Sequence, residues 1–252
     1  MTTLAGRSSR TARLVAEAGI TPVPDLRAVV EAAEILLVVT PPAVAEEVAA
    51  RIAGTPTSAR PLVADLNATS PSTVERIAGV LGKAGYGLVD GAISGPPPTV
   101  RPGATIFLSG PEARRIAELP WPHVNPVVVG EAVGAASATK MCTASVYKGT
   151  TALLVQALRT ALHHGVEAPV LAELDDLHPS RQIAVAASKA WRFVPEMREI
   201  AATQRAAGQG GELFETIARV YEELARTELA GQDPESVDGA AESVLAALRE
   251  AR

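Results

Sequence analysis

The sequence predicts an α/β protein with a doubly wound parallel sheet in its first half and an all-α second half. Three apolar runs, at residues 35–40, 62–67 and 88–93, alternate with helical patterns. Such runs are typical of parallel strands covered on both faces, and their alternation with helices indicates βαβ units. From residue 131 onward, Ala, Leu and Glu recur at helical spacing without a convincing strand. We therefore predict two domains, over residues 1–130 and 131–252.

The predicted elements begin and end at residues with suitable backbone preferences. Gly19 suits the end of a first helix, and Asp25 can cap a second. Pro41 ends the first apolar run, and Ser70 and Pro71 suit the start of the helix after the second run. In the first half, helices are predicted over residues 12–18, 26–33, 43–53 and 71–82, and further extended segments over 104–108 and 127–129. In the second half, helices are predicted over 132–164, 169–175, 179–190, 195–207, 212–230 and 234–251.

The composition excludes several classes of protein. Acidic residues outnumber basic ones by 28 to 23, which gives a net charge of −5. This balance, without a basic block, argues against nucleic-acid binding, which requires clustered cations. No apolar run approaches the roughly 18 residues of a membrane-spanning helix. The single Cys142 excludes an internal disulfide and fits a reducing cytoplasm. We expect no metal site, because four histidines lack metal-ligand spacing: His123, His163, His164 and His178.

The start of the chain differs from that of a complete nucleotide-binding sheet of the Rossmann type. Such a sheet normally opens with a strand, a Gly-rich turn and a helix that holds the dinucleotide pyrophosphate. Here residues 2–5 resemble the end of the second strand, so we expect one βα unit of roughly 30 residues to be absent upstream of Met1. Two hypotheses follow: the native reading frame starts upstream, or the chain is a relic that cannot hold a dinucleotide normally.

Gly6, Arg7 and Ser8 stand where a ribose-reading acidic residue is otherwise expected. A guanidinium and a hydroxyl can bind the ribose 2′-phosphate that a carboxylate would repel. This favours NADP over NAD as cofactor. Alternatively, Arg7 and Arg10 are solvated charges and Ser8 or Ser9 is a helix cap.

Residues 134–142 carry the strongest chemical signal. They are small and uncharged apart from one lysine, Lys140, and would let a helix approach a flat cofactor closely. At 100° per residue, Thr143 and Tyr147 share the face of Lys140, with Lys148 on its flank. An amine in a dry crevice beside a nicotinamide ring can act as acid or base near neutral pH. The alternative is a lysine that extends to water from a packing helix.

The run VGAASATKMC at residues 133–142 resembles the V-G-A-G-x-x-x-K signature of the β-hydroxyacid dehydrogenases, which include 3-hydroxyisobutyrate and 6-phosphogluconate dehydrogenases. Residues 65–71, DLNATSP, resemble the family's D-x-S-T-x-x-P turn. Residues 89–96, VDGAISGP, resemble its D-A-P-V-S-G-G substrate loop. These motifs occur in the family's order, and with the helical second half the similarity covers nearly the whole chain.

The resemblance and the positions of the strand ends together imply roles for six residues. Lys140 would exchange the proton of the substrate hydroxyl while hydride passes to or from nicotinamide. Ser94 and Gly95 would hold the substrate carboxylate, although a Ser-Gly-Pro turn that ends a strand explains them equally simply. Thr40 with Pro41, and Asn67, follow strands and are expected to line the nicotinamide ribose pocket. Their alternative roles are strand termination and helix capping.

Departures from the family pattern bear on the substrate. Ala144, preceded by Thr143, stands where the family usually has a substrate-binding asparagine. Lys148 stands where the phosphogluconate enzymes carry a phosphate-contacting tyrosine, and is either a cation for an acidic substrate or a surface charge. Arg192 and Glu196 either reach the cleft or form an i, i+4 ion pair.

The sequence therefore predicts an NADP-preferring oxidoreductase, with NAD as a second option, that acts on a small acidic substrate of the β-hydroxyacid type. The helical domain is expected to form a homodimer. Two alternatives remain open. An imine reductase shares the two-domain plan but commonly replaces the lysine. A relic without normal cofactor binding would act only as a helical dimerisation protein.

Overall fold

The computed structural model describes residues 1–4, 6, 9–96, 102–233 and 236–250, with the side chain of Arg10 left out. These residues divide into two compact units. The sheet unit lies within Met1–Asn67, Pro71–Pro98 and Pro102–Ser137, and the helical unit lies within Ala68–Ser70 and Ala138–Arg252. The predicted fold class is confirmed: a Rossmann-like, mainly parallel sheet precedes an all-helical part.

The sheet unit contains seven described strands. A five-stranded sheet has the order β3-β4-β5-β6-β7, and the short strands β1 and β2 pair with each other in a separate sheet. Their bounds are Thr2–Thr3 (β1), Pro22–Val23 (β2), Ile35–Val38 (β3), Leu62–Asp65 (β4), Leu88–Ser94 (β5), Ala104–Ser109 (β6) and Val124–Gly130 (β7). The pairs β3-β4, β4-β5 and β6-β7 are parallel, as predicted for the sheet as a whole.

Strand β6 departs from the prediction because it runs antiparallel to β5. The connection between these strands covers residues 95–103 only. A parallel partner needs a crossover of about a dozen residues or more, usually with a helix, so the short connection returns the chain in the opposite direction.

Both faces of the five-stranded sheet are covered. In β4, Val63 belongs to one apolar core, whereas Leu62 and Ala64 belong to another. This alternation explains why the strand reads as a continuous apolar run in the sequence. The sheet unit's described helices are α1 (Ser9–Glu17), α2 (Leu26–Ala32), α3 (Ala45–Ala53), α4 (Pro71–Lys83) and the short, unpredicted α5 (Ala113–Ala117).

The helical unit packs six helices, of which the first begins in the sheet unit. They are α6 (Ala135–His164), α7 (Glu167–Glu173), α8 (Pro179–Ala187), α9 (Ala190–Ala206), α10 (Glu212–Leu224) and α11 (Ala241–Glu250). Contrary to the prediction, Pro195 does not begin α9 but lies inside it. Buried Met141, Leu158, Met197 and Tyr221 contribute to one apolar core. Within the described residues, no helix has the length and apolarity needed to cross a membrane.

Candidate functional site

Polar residues lie at the carboxyl ends of the parallel strands β3, β4 and β5. Thr40 follows β3, Asn67 follows β4, and Ser94 is the last residue of β5. Because parallel strands end at the same edge of a sheet, the fold brings these three predicted site residues to one edge. In open α/β sheets, ligands bind outside the carboxyl ends of the strands.

The side chain of Asn67 links the ends of β3 and β4. The backbone N–H of Thr40 donates to Oδ1 of Asn67 over 2.6 Å. Nδ2 of Asn67 donates to Oδ2 of Asp65 over 3.2 Å, and the Asn67 backbone N–H donates to Oδ1 of Asp65 over 3.0 Å. The Thr40 hydroxyl oxygen is buried, and no described group of the protein hydrogen-bonds to it. A buried hydroxyl without a protein partner is a natural contact for a ligand.

Burial raises the pKa of Asp65 to about 6, and the nearby carboxylate of Asp90 contributes to the increase. The hydrogen bonds from Asn67 oppose the increase because they stabilise the ionised carboxylate. A carboxylate that is buried at this edge without an adjacent cation is a functional-site signal. In the sequence, Asp65 stands within a family motif that implied no role for it.

Ser94 and Gly95 form the turn at the end of β5. Ser94 is half-buried and pairs with Thr105 of β6, whereas Gly95 is exposed. Gly95 has a φ of +127°, and a Cβ there would lie 3.0 Å from Cα of Ala104. Both observations require glycine at this position, because the backbone of β6 approaches it closely.

Asp90, near the middle of β5, connects the sheet to the start of α6. Its Oδ2 accepts hydrogen bonds from the Ser109 hydroxyl and from the backbone N–H groups of Gly134 and Ser137, at 2.9 to 3.1 Å. Its Oδ1 accepts from the Ser137 hydroxyl at 2.7 Å. These contacts of Asp90 were not predicted from the sequence. The available signal was an aspartate inside an apolar strand, because such a residue needs hydrogen-bond donors.

In the helical unit, Lys140 and Thr143 lie one turn apart on α6, and both are half-buried. The Thr143 hydroxyl donates within the helix, to the carbonyl oxygens of Thr139 and Lys140, both at 3.1 Å. Its oxygen therefore keeps acceptor capacity for another group. Lys140 forms no ion pair with another described residue.

Lys148 forms an ion pair with Glu196 of α9, and its Nζ lies 4.3 Å from the centre of the Phe193 ring. Burial lowers the pKa of Lys148 to about 8. Glu196 opposes this change, whereas the positive charges of Lys140 and Arg192 add to it. The predicted i, i+4 ion pair between Arg192 and Glu196 is not the one observed, because Glu196 pairs with Lys148 instead. The two residues are 48 positions apart, so no local pattern could reveal the pair.

Two predicted cofactor residues, Arg7 and Ser8, lie outside the described residues. Pro41 is half-buried, and its carbonyl oxygen accepts a hydrogen bond from the Val44 N–H in the turn before α3. The structure thus places Thr40, Pro41, Asn67 and Ser94 at one sheet edge, and Lys140, Thr143 and Lys148 on one helix.

Comparisons with known proteins bear on the fold. The conserved protein MTH1747, of unknown function and with structural similarity to 3-hydroxyacid dehydrogenases, is 27% identical; the match covers 92% of this chain and 89% of that one, with a TM-score of 0.63. Mycobacterium tuberculosis 3-hydroxyisobutyrate dehydrogenase, solved with L-serine, is 18% identical over 97% and 92% of the two chains, with a TM-score of 0.62. The chain has the hydroxyacid dehydrogenase fold.

The hydroxyacid dehydrogenase fold also extends to another group of enzymes. A reductive aminase from Aspergillus terreus in complex with NADPH and ethyl-5-oxohexanoate is 20% identical; the match covers 91% of this chain and 87% of that one, with a TM-score of 0.53. A family model described as a domain of unknown function (DUF1932) matches residues 161–224, from the last turn of α6 to the end of α10. No curated protein matches the sequence. The resemblance predicted from the motifs is therefore confirmed at the level of the fold.

Proposed function

We propose that this chain is an oxidoreductase that transfers hydride between a nicotinamide cofactor and a small acidic substrate of the β-hydroxyacid class. One observation carries the proposal. The sheet edge that α/β folds use for ligands holds a buried Thr40 hydroxyl without a partner in the described part of the chain. When bound, nicotinamide supplies the hydride acceptor or donor. The residues of the chain would carry out every other step.

Thr40, Pro41 and Asn67 are proposed to hold the nicotinamide ribose. The buried Thr40 hydroxyl fits this role because a ribose hydroxyl or an amide would satisfy it. The NADPH bound to the A. terreus reductive aminase supports a nicotinamide cofactor on this fold. The preference for NADP rests on Arg7 and Ser8, whose guanidinium and hydroxyl suit a ribose 2′-phosphate.

Ser94 and Gly95 are proposed to bind the substrate carboxylate through a hydroxyl and a backbone N–H. The exposure of Gly95 at the end of β5 supports this, because a ligand can approach an exposed backbone. L-serine, present with the M. tuberculosis enzyme, carries both a carboxylate and a β-hydroxyl, which supports this class of substrate. Thr143 would accept a hydrogen bond from the substrate, and Lys148 would offer N–H donors not used by Glu196.

Lys140 is proposed as the general acid and base. Its amine would take the proton from the substrate hydroxyl as the carbon loses hydride, and return it in the reverse reaction. A positioned proton donor or acceptor typically contributes about 10²-fold to 10⁴-fold in rate. Its position one turn before Thr143 on the same helix supports a shared contact with one substrate.

We expect Lys140→Ala to lower kcat by about 10²-fold to 10⁴-fold with little change in NADPH affinity, because the amine acts on a proton rather than on cofactor binding. NADPH binding is measured by fluorescence titration, and turnover by nicotinamide absorbance with a panel of small β-hydroxyacids. The matched control is Lys83→Ala, which removes an exposed lysine at the end of α4 and should change neither quantity. Unchanged turnover in Lys140→Ala would remove the proposed acid and base. If the unaltered chain binds no NADPH, and still binds none after an upstream βα unit is restored, the relic hypothesis is favoured instead.

A second candidate is an imine-reductase-like activity, favoured by the shared fold of the A. terreus reductive aminase. The presence of Lys140 counts against it, since imine reductases commonly carry another residue there. The same NADPH assay with a cyclic imine in place of the hydroxyacid separates the two candidates.

We also propose that the chain forms a homodimer through its helical unit. Val146 and Leu153 of α6 are 65% and 67% exposed and lie seven residues apart, so they share one apolar face. A second copy of the chain would cover this face. Location in the reducing cytoplasm stays a prediction from the single Cys142.

A further inference from the structure

Asp65, Asn67 and Thr40 form a continuous hydrogen-bonded series at the carboxyl edge of the sheet. The Asp65 carboxylate accepts from two N–H groups of Asn67, and the Asn67 carbonyl oxygen accepts from the backbone N–H of Thr40. Asp65 and Asn67 are each only 2% exposed. Water therefore does not compete for these hydrogen bonds, and each contributes more than it would at the surface.

The chemistry at the two ends of this series fixes the orientation of the Asn67 side chain. An ionised carboxylate only accepts hydrogen bonds, and a backbone N–H only donates them. The amide nitrogen of Asn67 must therefore face Asp65, and its oxygen must face Thr40. Turning the amide over would place two donors against each other at Thr40 and two acceptors against each other at Asp65.

The series holds the backbone of Thr40, whose buried hydroxyl has no partner among the described groups. We infer that Asp65 is a positioning residue that acts through Asn67 to place Thr40 for the cofactor. This inference rests on the proposed function. It assigns Asp65 no contact with the cofactor itself.

The surroundings of Asp65 support a role beyond packing. The side chain lies directly opposite Asp90 of β5, a second carboxylate, and the structure gives it no ion pair with a described cation. A buried carboxylate in such surroundings is costly, and an apolar residue of similar size would stabilise the strand better. An apolar side chain offers no acceptor for the two Asn67 N–H groups, whereas a carboxylate offers one oxygen to each of them, which gives a reason for the carboxylate.

The test uses Asp65→Asn in the full chain, at about pH 8, where Asp65 is ionised. Asparagine at position 65 can accept from one of the two Asn67 N–H groups but not from both. We expect the Thr40 amide to exchange its hydrogen about tenfold faster in the cofactor-free protein, and NADPH to bind about tenfold more weakly. Asp176→Asn, an exposed change of the same kind, should alter neither quantity.

A reciprocal exchange distinguishes hydrogen bonding from a general loss of structure. In the double variant Asp65→Asn, Asn67→Asp, the carboxylate at position 67 accepts from both Thr40 and the new amide, so the donors and acceptors match again. We expect Thr40 exchange and NADPH affinity to return to within about threefold of the unaltered chain. If Asp65→Asn lowers only the melting temperature, or if the double variant rescues neither quantity, the inference is wrong.

Thr40 exchange also separates this inference from the proposed function. Slow Thr40 exchange that depends on Asp65 supports the series even if no NADPH binds, in which case only the proposed function fails. Unchanged Thr40 exchange in Asp65→Asn overturns the inference whether or not NADPH binds.

Discussion

Asp65 and Asp90 lie opposite each other on neighbouring strands, and both are almost completely buried, yet their surroundings differ. Asp90 accepts four hydrogen bonds from three residues, of which two lie at the start of α6. Among the described residues, Asp65 accepts only from Asn67, two residues further along the chain. The comparison shows that the number and origin of the donors decide what a buried carboxylate does. One joins distant segments of the fold, and the other orients a single side chain at the candidate site.

The largest difference between Asp90 and Asp65 is expected in the stability that is lost when each carboxylate is removed. Asp90→Ala leaves four donors without their acceptor in a buried place, and hydrogen bonds to charged groups are worth about 1.5 to 3 kcal/mol each. We expect the free energy of unfolding to fall by about 4 kcal/mol, less than the sum of the four bonds because removing a buried carboxylate also removes its desolvation cost. Urea denaturation at pH 8 measures this. Asp65→Ala removes a poorly compensated charge and should cost less than half as much. An equal or greater loss for Asp65→Ala would contradict the comparison.

The second difference concerns pH. The pKa of Asp65 is about 6 in the folded protein and 3.8 in its ordinary state, so the folded protein binds the extra proton more tightly between these values. The stabilisation is fully present below pH 3.8 and is lost as the pH rises through about 6. We expect the unaltered chain to lose about 3 kcal/mol relative to Asp65→Asn between pH 4 and pH 8. Urea denaturation of both proteins at both pH values measures this difference. An equal change in the free energy of unfolding for the two proteins would refute it.

The smallest effect is expected at Ser137. Ser137→Ala removes one donor to Asp90 while the three other donors remain. The loss is expected to be about 1 kcal/mol, because the better helix propensity of alanine offsets part of the lost hydrogen bond. Ser145→Ala, on the same helix, removes only a hydroxyl that donates to the Cys142 carbonyl, and should change stability by less than about 0.5 kcal/mol. Equal melting temperatures for the two variants would show that the Ser137 hydroxyl adds nothing to the Asp90 anchor.

The elements that the sequence predicted well are those determined by local pattern. The strands at residues 35, 62 and 88 and the helix after Ser70 follow from apolar periodicity and from the residues that end or cap them. The direction of β6 was predicted wrongly from the general βαβ pattern. The connection between β5 and β6 is too short for a parallel crossover, so the two strands are antiparallel. Helix α9 begins before Pro195 because its first turns pack in the core, which a local rule about proline does not include.

The candidate site also contains residues that local sequence marks and contacts that it does not reveal. Thr40, Asn67 and Ser94 could be proposed because strand ends and family motifs mark them. The Asp90 anchor and the pair of Lys148 with Glu196 join residues 44 to 48 positions apart, and only the folded chain shows these contacts. The role inferred for Asp65 is local in sequence, but it depends on Thr40, which is 27 positions from Asn67.

Strand β3 is one of the two edge strands of the five-stranded sheet in the described part of the chain. Leu37 of this strand and the following Val39 are 41% and 63% exposed. The free side of such a strand is a template on which another extended peptide can add by backbone pairing. We therefore expect concentrated samples of this protein to aggregate through β3. A charged residue at position 37 or 39 would be the simplest way to prevent this.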